Sequence, residues 1–332
     1  MSLHRLLTLI EPPPPRTAEY GSTVLAVRTG LRAWAAEVGL VGSGSAGERV
    51  VGDGVESMAV RSFPTAPVER VTLFTKWLAW VLWEDDEIDE GGVGGTPSLV
   101  AQRYDSLLRA LRAGVAGPDA DGLERAAVAL WQETIPEMGA AWRERFLTNL
   151  AGHADATLAA AHNQQRGRTP TPAEFPMLRG GLAGLHVYDL AEPVLGRELP
   201  EAVASSHEWR TLVGGVNDVA AWCNDIASLE RETAGGEVHN YVIVIRHALG
   251  CSDEDAIAWV ADRIADRLSE VATTQAALPA LTRRLGLSDH DAHTVEADAK
   301  VICAVPRDQL EWLVGSQRYS TVAVGPVETA TG

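Results

Sequence analysis

Three cysteines, Cys223, Cys251 and Cys303, are all the thiols in a chain of 332 residues. They are few, odd in number and not at ligand spacing, which argues against a disulfide framework and against a zinc site. Basic residues are also short. The 28 Lys and Arg stand against 45 Asp and Glu, a net charge of −17. That balance speaks against nucleic acid as a partner and against docking on anionic lipid. An anionic substrate would need local cations, from arginine clusters or metal ions. No apolar run reaches the roughly 18 residues that suggest a membrane span, and the first 16 residues lack a cleavage-type end, so they do not read as a signal peptide. The expected location is the cytoplasm. Phenylalanine is scarce, with four in the chain, and strand patterning is nearly absent. The longest β-branched run, residues 241–245, sits inside a helical pattern.

What is present is apolar residue at helical spacing, 46% hydrophobic overall and enough for a sizeable core. Helices are expected over residues 17–40, 67–89, 99–114, 122–134, 136–161, 175–195, 200–232, 240–249, 253–277 and 289–319. A Gly/Ser-rich connection spans 42–54, and a loop with four glycines spans 91–97. No repeat or composition shift divides the chain. The expectation is one all-α domain over 17–320, between a disordered proline-containing lead (1–16) and a frayed tail (321–332).

One stretch organises the rest. An apolar helical run, Val71 to Trp83, ends in Glu84-Asp85-Asp86-Glu87-Ile88-Asp89-Glu90. A helix C-terminus prefers cations, and like charges four apart repel. Bound cations would compensate an acidic block placed there. The second stretch is Asn224-Asp225-Ile226-Ala227-Ser228-Leu229-Glu230-Arg231-Glu232. At about 100° per residue, Asn224, Ser228 and Glu232 stack on one helix face. An amide oxygen, a hydroxyl and a carboxylate form an all-oxygen set, suited to a hard cation such as Mg²⁺. Both blocks rise out of apolar sequence and are followed by glycines, which fits two facing metal clusters at one mouth.

Together these residues resemble class I terpene synthases of the bacterial type. Asp85-Asp86-x-x-Asp89 and Asn224-Asp225-x-x-Ser228-x-x-x-Glu232 are similar to that family's paired metal motifs. Arg179, 45 residues before Asn224, stands about where the family keeps its pyrophosphate-sensing arginine. Arg231 matches a diphosphate-contacting basic residue, and Arg318-Tyr319, preceded by Trp312, resembles the C-terminal Arg-Tyr pair. The likeness spans roughly residues 60–320. It implies a single terpenoid synthase-like helical bundle with a central active-site cavity. Three Mg²⁺ ions are implied, held by Asp85 with Asp86 or Asp89 and by Asn224, Ser228 and Glu232. A linear isoprenoid diphosphate, farnesyl or geranylgeranyl, is the implied substrate, with Arg179, Arg231, Arg318 and Tyr319 on its diphosphate. Homodimers are common in the family, though no residue here specifies one. Residues 180–184 carry three glycines, where the family breaks a helix, and Leu182 stands where a polar residue is often found.

Trp77, Trp80, Trp83, Tyr188, Trp222 and Trp312 are the candidates for lining the cavity. Taken singly, each signal has a plain structural reading: a solvated acidic helix end, a polar stripe, a surface arginine, core tryptophans. Their joint occurrence in order and spacing is what points to a diphosphate site. A chain-elongating prenyltransferase of the same fold would carry a second aspartate-rich motif and an N-terminal Gly-Gly-Lys, and neither is present. A non-catalytic protein of this fold would have no physical reason to keep the acids and arginines.

Overall fold

A computed structural model describes residues 7, 8, 10, 16–40, 51–89 and 92–315. Among these residues there is no strand. Fourteen α-helices and one 3₁₀ turn, Ile135–Glu137, make up the described part of the all-α fold. They are α1 Tyr20–Glu37, α2 Val55–Ser62, α3 Val68–Asp89, α4 Pro97–Ala113, α5 Gly122–Thr134, α6 Ala140–Gln165, α7 Phe175–Ala183, α8 His186–Asp189, α9 Ala191–Leu195, α10 Glu201–Ala204, α11 His207–Gly235, α12 Tyr241–Leu249, α13 Asp253–Arg284 and α14 Asp289–Gly315.

Two helices carry the acidic stretches, and both are internal. On α3, Val71, Trp77, Ala79 and Trp80 are buried against α1, α2 and α5. Trp77 Nε1 donates to Thr134 Oγ1 at 3.0 Å, and Trp80 Nε1 donates to the Leu123 carbonyl at 2.9 Å. A tryptophan ring buries about 150–250 Å², which is about 4–6 kcal/mol of hydrophobic stabilisation at ~25 cal/mol per Å². These rings therefore fix the depth and rotation of α3, and with them the direction of its acidic end. Helix α11 runs through the bundle against α7, α12, α13 and α14. It starts where Ser206 caps Trp209 N–H at 3.1 Å, and it ends at Gly236, whose φ of 75° suits glycine.

The structure divides two of the expected helices. Residues 175–195 form α7, α8 and α9, because Gly184 takes a left-handed φ of 81° and stops α7. Just before it, a Cβ on Gly181 would lie 2.6 Å from Ala156 Cβ, so glycine lets α7 press onto α6. Residues 200–232 divide at Ser205 and Ser206. An additional helix, α2, follows the Gly/Ser-rich connection, and α6 begins four residues later than expected, after the 3₁₀ turn. Helix α13 continues to Arg284 with Pro279 inside it. Of the expected lead, residues 1–6, 9 and 11–15 lie outside the described residues; among those described, Ile10 is buried, and Arg307 Nη1 donates to the carbonyls of Leu7 and Ile10, at 2.9 Å for Ile10. Residues 316–332, with Arg318, Tyr319 and the expected tail, lie outside the described residues. No helix among the described residues is long and apolar enough to cross a membrane.

Candidate active site

Helices α3, α6, α7, α11 and α14 enclose a cavity of about 480 Å³. Asp85 and Asp86 reach it from α3, Arg179 from α7, Asn224, Arg231 and Glu232 from α11, and Trp312 from α14. Gly94 and Gly95 of the glycine loop line it as well, and Gly94 N–H folds back onto the Ile88 carbonyl at 2.9 Å. Seven of the residues expected from the sequence thus meet at one opening. Asp89 is the last residue of α3. Ser228 is buried one turn below Asn224, and its hydroxyl donates to the Asn224 carbonyl at 2.7 Å.

Five of the six aromatics expected to line this cavity do not reach it; Trp83 packs against the main core, and Tyr188 lines a separate small pocket with Trp209. Trp77 and Trp80 belong to the core between α3 and α5, where their ring N–H groups find partners. Trp222 is buried against Tyr241, with ring centroids 5.3 Å apart. Among the described lining residues Trp312 is the one tryptophan, held by a 2.6 Å bond from Nε1 to the Asp53 carbonyl.

The arginine and the second acidic stretch are already joined. Arg179 Nε donates to Asp225 Oδ1 at 2.8 Å, and its Nη2 lies 3.2 Å from Asn224 Oδ1. Burial works against the arginine's charge, but Asp225, Glu232 and Asp85 outweigh it and hold its pKa above the usual value. Burial likewise pushes the Asp225 carboxyl up to about 6, against the pull of Arg179. Asp225 Oδ2 also accepts from Tyr241 N–H at 2.9 Å. Asn240 completes the arrangement: its Nδ2 donates to Glu232 Oε2 at 2.9 Å and to the Asp225 carbonyl at 2.6 Å, while its Oδ1 caps α12. Asp225 and Asn240 do not enter the cavity; they orient residues that do.

The charge balance of the lining is lopsided. Among the described lining residues, Glu84, Asp85, Asp86, Glu232 and Glu237 face two guanidiniums, Arg179 and Arg231. Glu84 is 4% exposed, and its Oε1 is buried with no hydrogen-bond partner. A diphosphate entering here would meet net negative charge, so cations must accompany it. Among the described residues, no three His, Cys, Asp or Glu side chains converge as a preformed metal group. The donor set suits a hard cation nonetheless, since Mg²⁺ is bound through one or two carboxylates, waters and substrate phosphate oxygens.

Residues 76–270 match the family model described as terpene synthase family 2, C-terminal metal binding, which takes in both acidic stretches and Arg179. The chain belongs to the terpene synthase family. It is 30% identical over 280 residues to (-)-delta-cadinene synthase of Streptomyces clavuligerus, covering 83% of this chain and 82% of that protein. It is 29% identical over 156 residues to sesquiterpene synthase 3 of Postia placenta, covering 47% of this chain and 43% of that protein. The solved structure of hedycaryol synthase in complex with HEPES superposes with a TM-score of 0.79 at 25% identity, covering 92% of this chain and 97% of that one. This terpene synthase is therefore a class I cyclase of the bacterial type, with a metal-binding domain.

Proposed function

We propose that this terpene synthase is a Mg²⁺-dependent sesquiterpene cyclase that converts farnesyl diphosphate to a cyclic product and diphosphate. The observation that carries the reading is the single cavity shared by Asp85, Asp86, Arg179, Asn224, Arg231 and Glu232. The 15-carbon chain is supported by the relative named as a sesquiterpene synthase.

Asp85 and Asp86, with Asp89, would hold two ions, and Asn224, Ser228 and Glu232 a third. Bound there, Mg²⁺ would neutralise the diphosphate so that the carbon–oxygen bond can ionise. Arg179 now spends one nitrogen on Asn224 Oδ1. A diphosphate oxygen is a stronger acceptor, so substrate would draw that nitrogen away and release the amide oxygen as a ligand. Arg231, with Arg318 and Tyr319, would donate to the same group. Leu82, Ile88 and Leu182 line the cavity and would keep water from the allylic cation, and Trp312, which lines it too, would stabilise that cation through its ring.

The test is diphosphate release from farnesyl diphosphate with excess Mg²⁺ and with EDTA. Release only with Mg²⁺ is expected. Equal release in EDTA contradicts the metal assignment.

A further inference from the structure

His153 of α6 stands at a junction that the metal motifs do not include. It lines the active-site cavity, and it also lines a second cavity of about 480 Å³ behind α7. One imidazole thus forms part of the wall between the two. Its Nδ1 lies 3.1 Å from the Gly181 carbonyl. A carbonyl can only accept, so Nδ1 carries the hydrogen. Its Nε2 lies 3.0 Å from the Tyr104 hydroxyl and 3.8 Å from Glu84 Oε2. His186, packed 5.5 Å away, has neither ring nitrogen bonded and does not compete for Gly181.

Gly181 is in the last turn of α7, two residues after Arg179. The carbonyls of a helix's last turn lack helical partners. Here two of them are met from neighbouring helices. Asn217 Nδ2 of α11 donates to the Gly180 carbonyl at 2.8 Å, and His153 donates to the Gly181 carbonyl, which also takes Gly184 N–H at 3.1 Å. A continuous line of contacts therefore runs from Glu84, beside Asp85, through His153 and Gly181 to the helix that carries Arg179.

We propose that His153 is a positioning residue: it ties the acidic end of α3 to the broken end of α7 and sets where Arg179 and the last turn of α7 stand at the cavity. The inference rests on the proposed cyclase reading, and the experiment separates the two. The amide nitrogen of asparagine overlies Nδ1 of histidine, whereas that of glutamine overlies Nε2. His153→Asn keeps the bond to Gly181, and His153→Gln keeps only the side facing Tyr104 and Glu84.

Wild type and both variants are to be compared by the ratio of uncyclised to cyclised products from farnesyl diphosphate, and by calorimetric binding of inorganic diphosphate with Mg²⁺ in excess. His153→Gln is expected to raise the uncyclised fraction about tenfold or more with KM nearly unchanged, as displaced catalytic groups do. His153→Asn is expected to keep the wild-type ratio. Equal ratios in all three proteins, or equal changes in both variants, overturn the proposal. If the wild type turns over no isoprenoid diphosphate, the cyclase reading fails and binding decides the role of His153. Weakening in His153→Gln alone then supports it, and unchanged binding in both variants overturns it.

Discussion

Arg179 donates from Nε to Asp225 Oδ1 at 2.8 Å, with the arginine 13% and the aspartate 1% exposed. Nothing in the sequence pairs these two. Read from sequence alone, Arg179 would be dispensable for stability. The ion pair changes that expectation, because losing the guanidinium strands a buried carboxylate. Arg179→Ala is expected to lower turnover by roughly 10²-fold or more. It is also expected to cost about 3 kcal/mol of stability near pH 8. Below the Asp225 pKa of about 6 the carboxyl takes a proton, so the loss should shrink at pH 5. Thermal unfolding at both pH values checks this; an equal loss at both would mean that Asp225 is not the group left unpaired.

Asn224 is the residue of the second stretch whose amide oxygen faces both Arg179 and the cavity. Asn224→Leu keeps the branched side-chain outline and removes the ligand. Turnover is expected to fall at least about 10²-fold, as for loss of an electrostatic group at a reacting centre. Circular dichroism should show the helical fold unchanged. Full activity would remove Asn224 from the metal set.

Asn240 does two jobs with one amide: Oδ1 caps Val242 N–H at 2.9 Å, and Nδ2 holds Glu232 at 2.9 Å. Asn240→Ala should cost about 1 kcal/mol as a lost cap. Mg²⁺ affinity should fall about 10–100-fold through a disoriented Glu232. Calorimetry of Mg²⁺ binding with inorganic diphosphate present separates the two effects; lost stability with unchanged affinity would confine Asn240 to the cap.

Away from the site, Asp298 is buried with Oδ1 on Arg197 at 2.9 Å and Oδ2 without a partner. Burial pushes its carboxyl up to about 6 from 3.8. The folded state therefore binds this proton more tightly than the unfolded chain. Its contribution to stability is full below about 3.8 and is lost as pH rises through about 6. Asp298→Asn should remove this dependence, on the order of 2 kcal/mol between pH 4 and pH 7. Chemical denaturation across that range measures it, and parallel curves for the two proteins would refute the assignment.

The sequence carried the all-α class, the acidic end of α3 and the face of α11, because helical spacing and motif order are local properties. It also marked the break after Arg179 through Gly180, Gly181 and Gly184, although that stretch still read as one helix. Buried partners were harder. Asp225 sits inside the second motif, yet only its fold against α7 gives it Arg179. Asn240 had a readable signal, an Asn just before an apolar helix, but its bond to Glu232 depends on the turn at Gly236. His153 and Glu84 meet across 69 positions, a pairing that spacing cannot supply. Trp77 and Trp80 failed as lining for the same reason: apolar spacing on α3 says that they are inside, not which side of the helix holds the cavity.

Product analysis tests the central claim most directly. Purified protein with Mg²⁺ is to be given geranyl, farnesyl and geranylgeranyl diphosphate separately, and the extracts run by gas chromatography with mass detection. A cyclic 15-carbon hydrocarbon or alcohol from farnesyl diphosphate, lost in EDTA, is the predicted result. A cyclic product from geranylgeranyl diphosphate alone would correct the chain length. No cyclic product from any of the three, or a longer diphosphate when isopentenyl diphosphate is added, would contradict the cyclase.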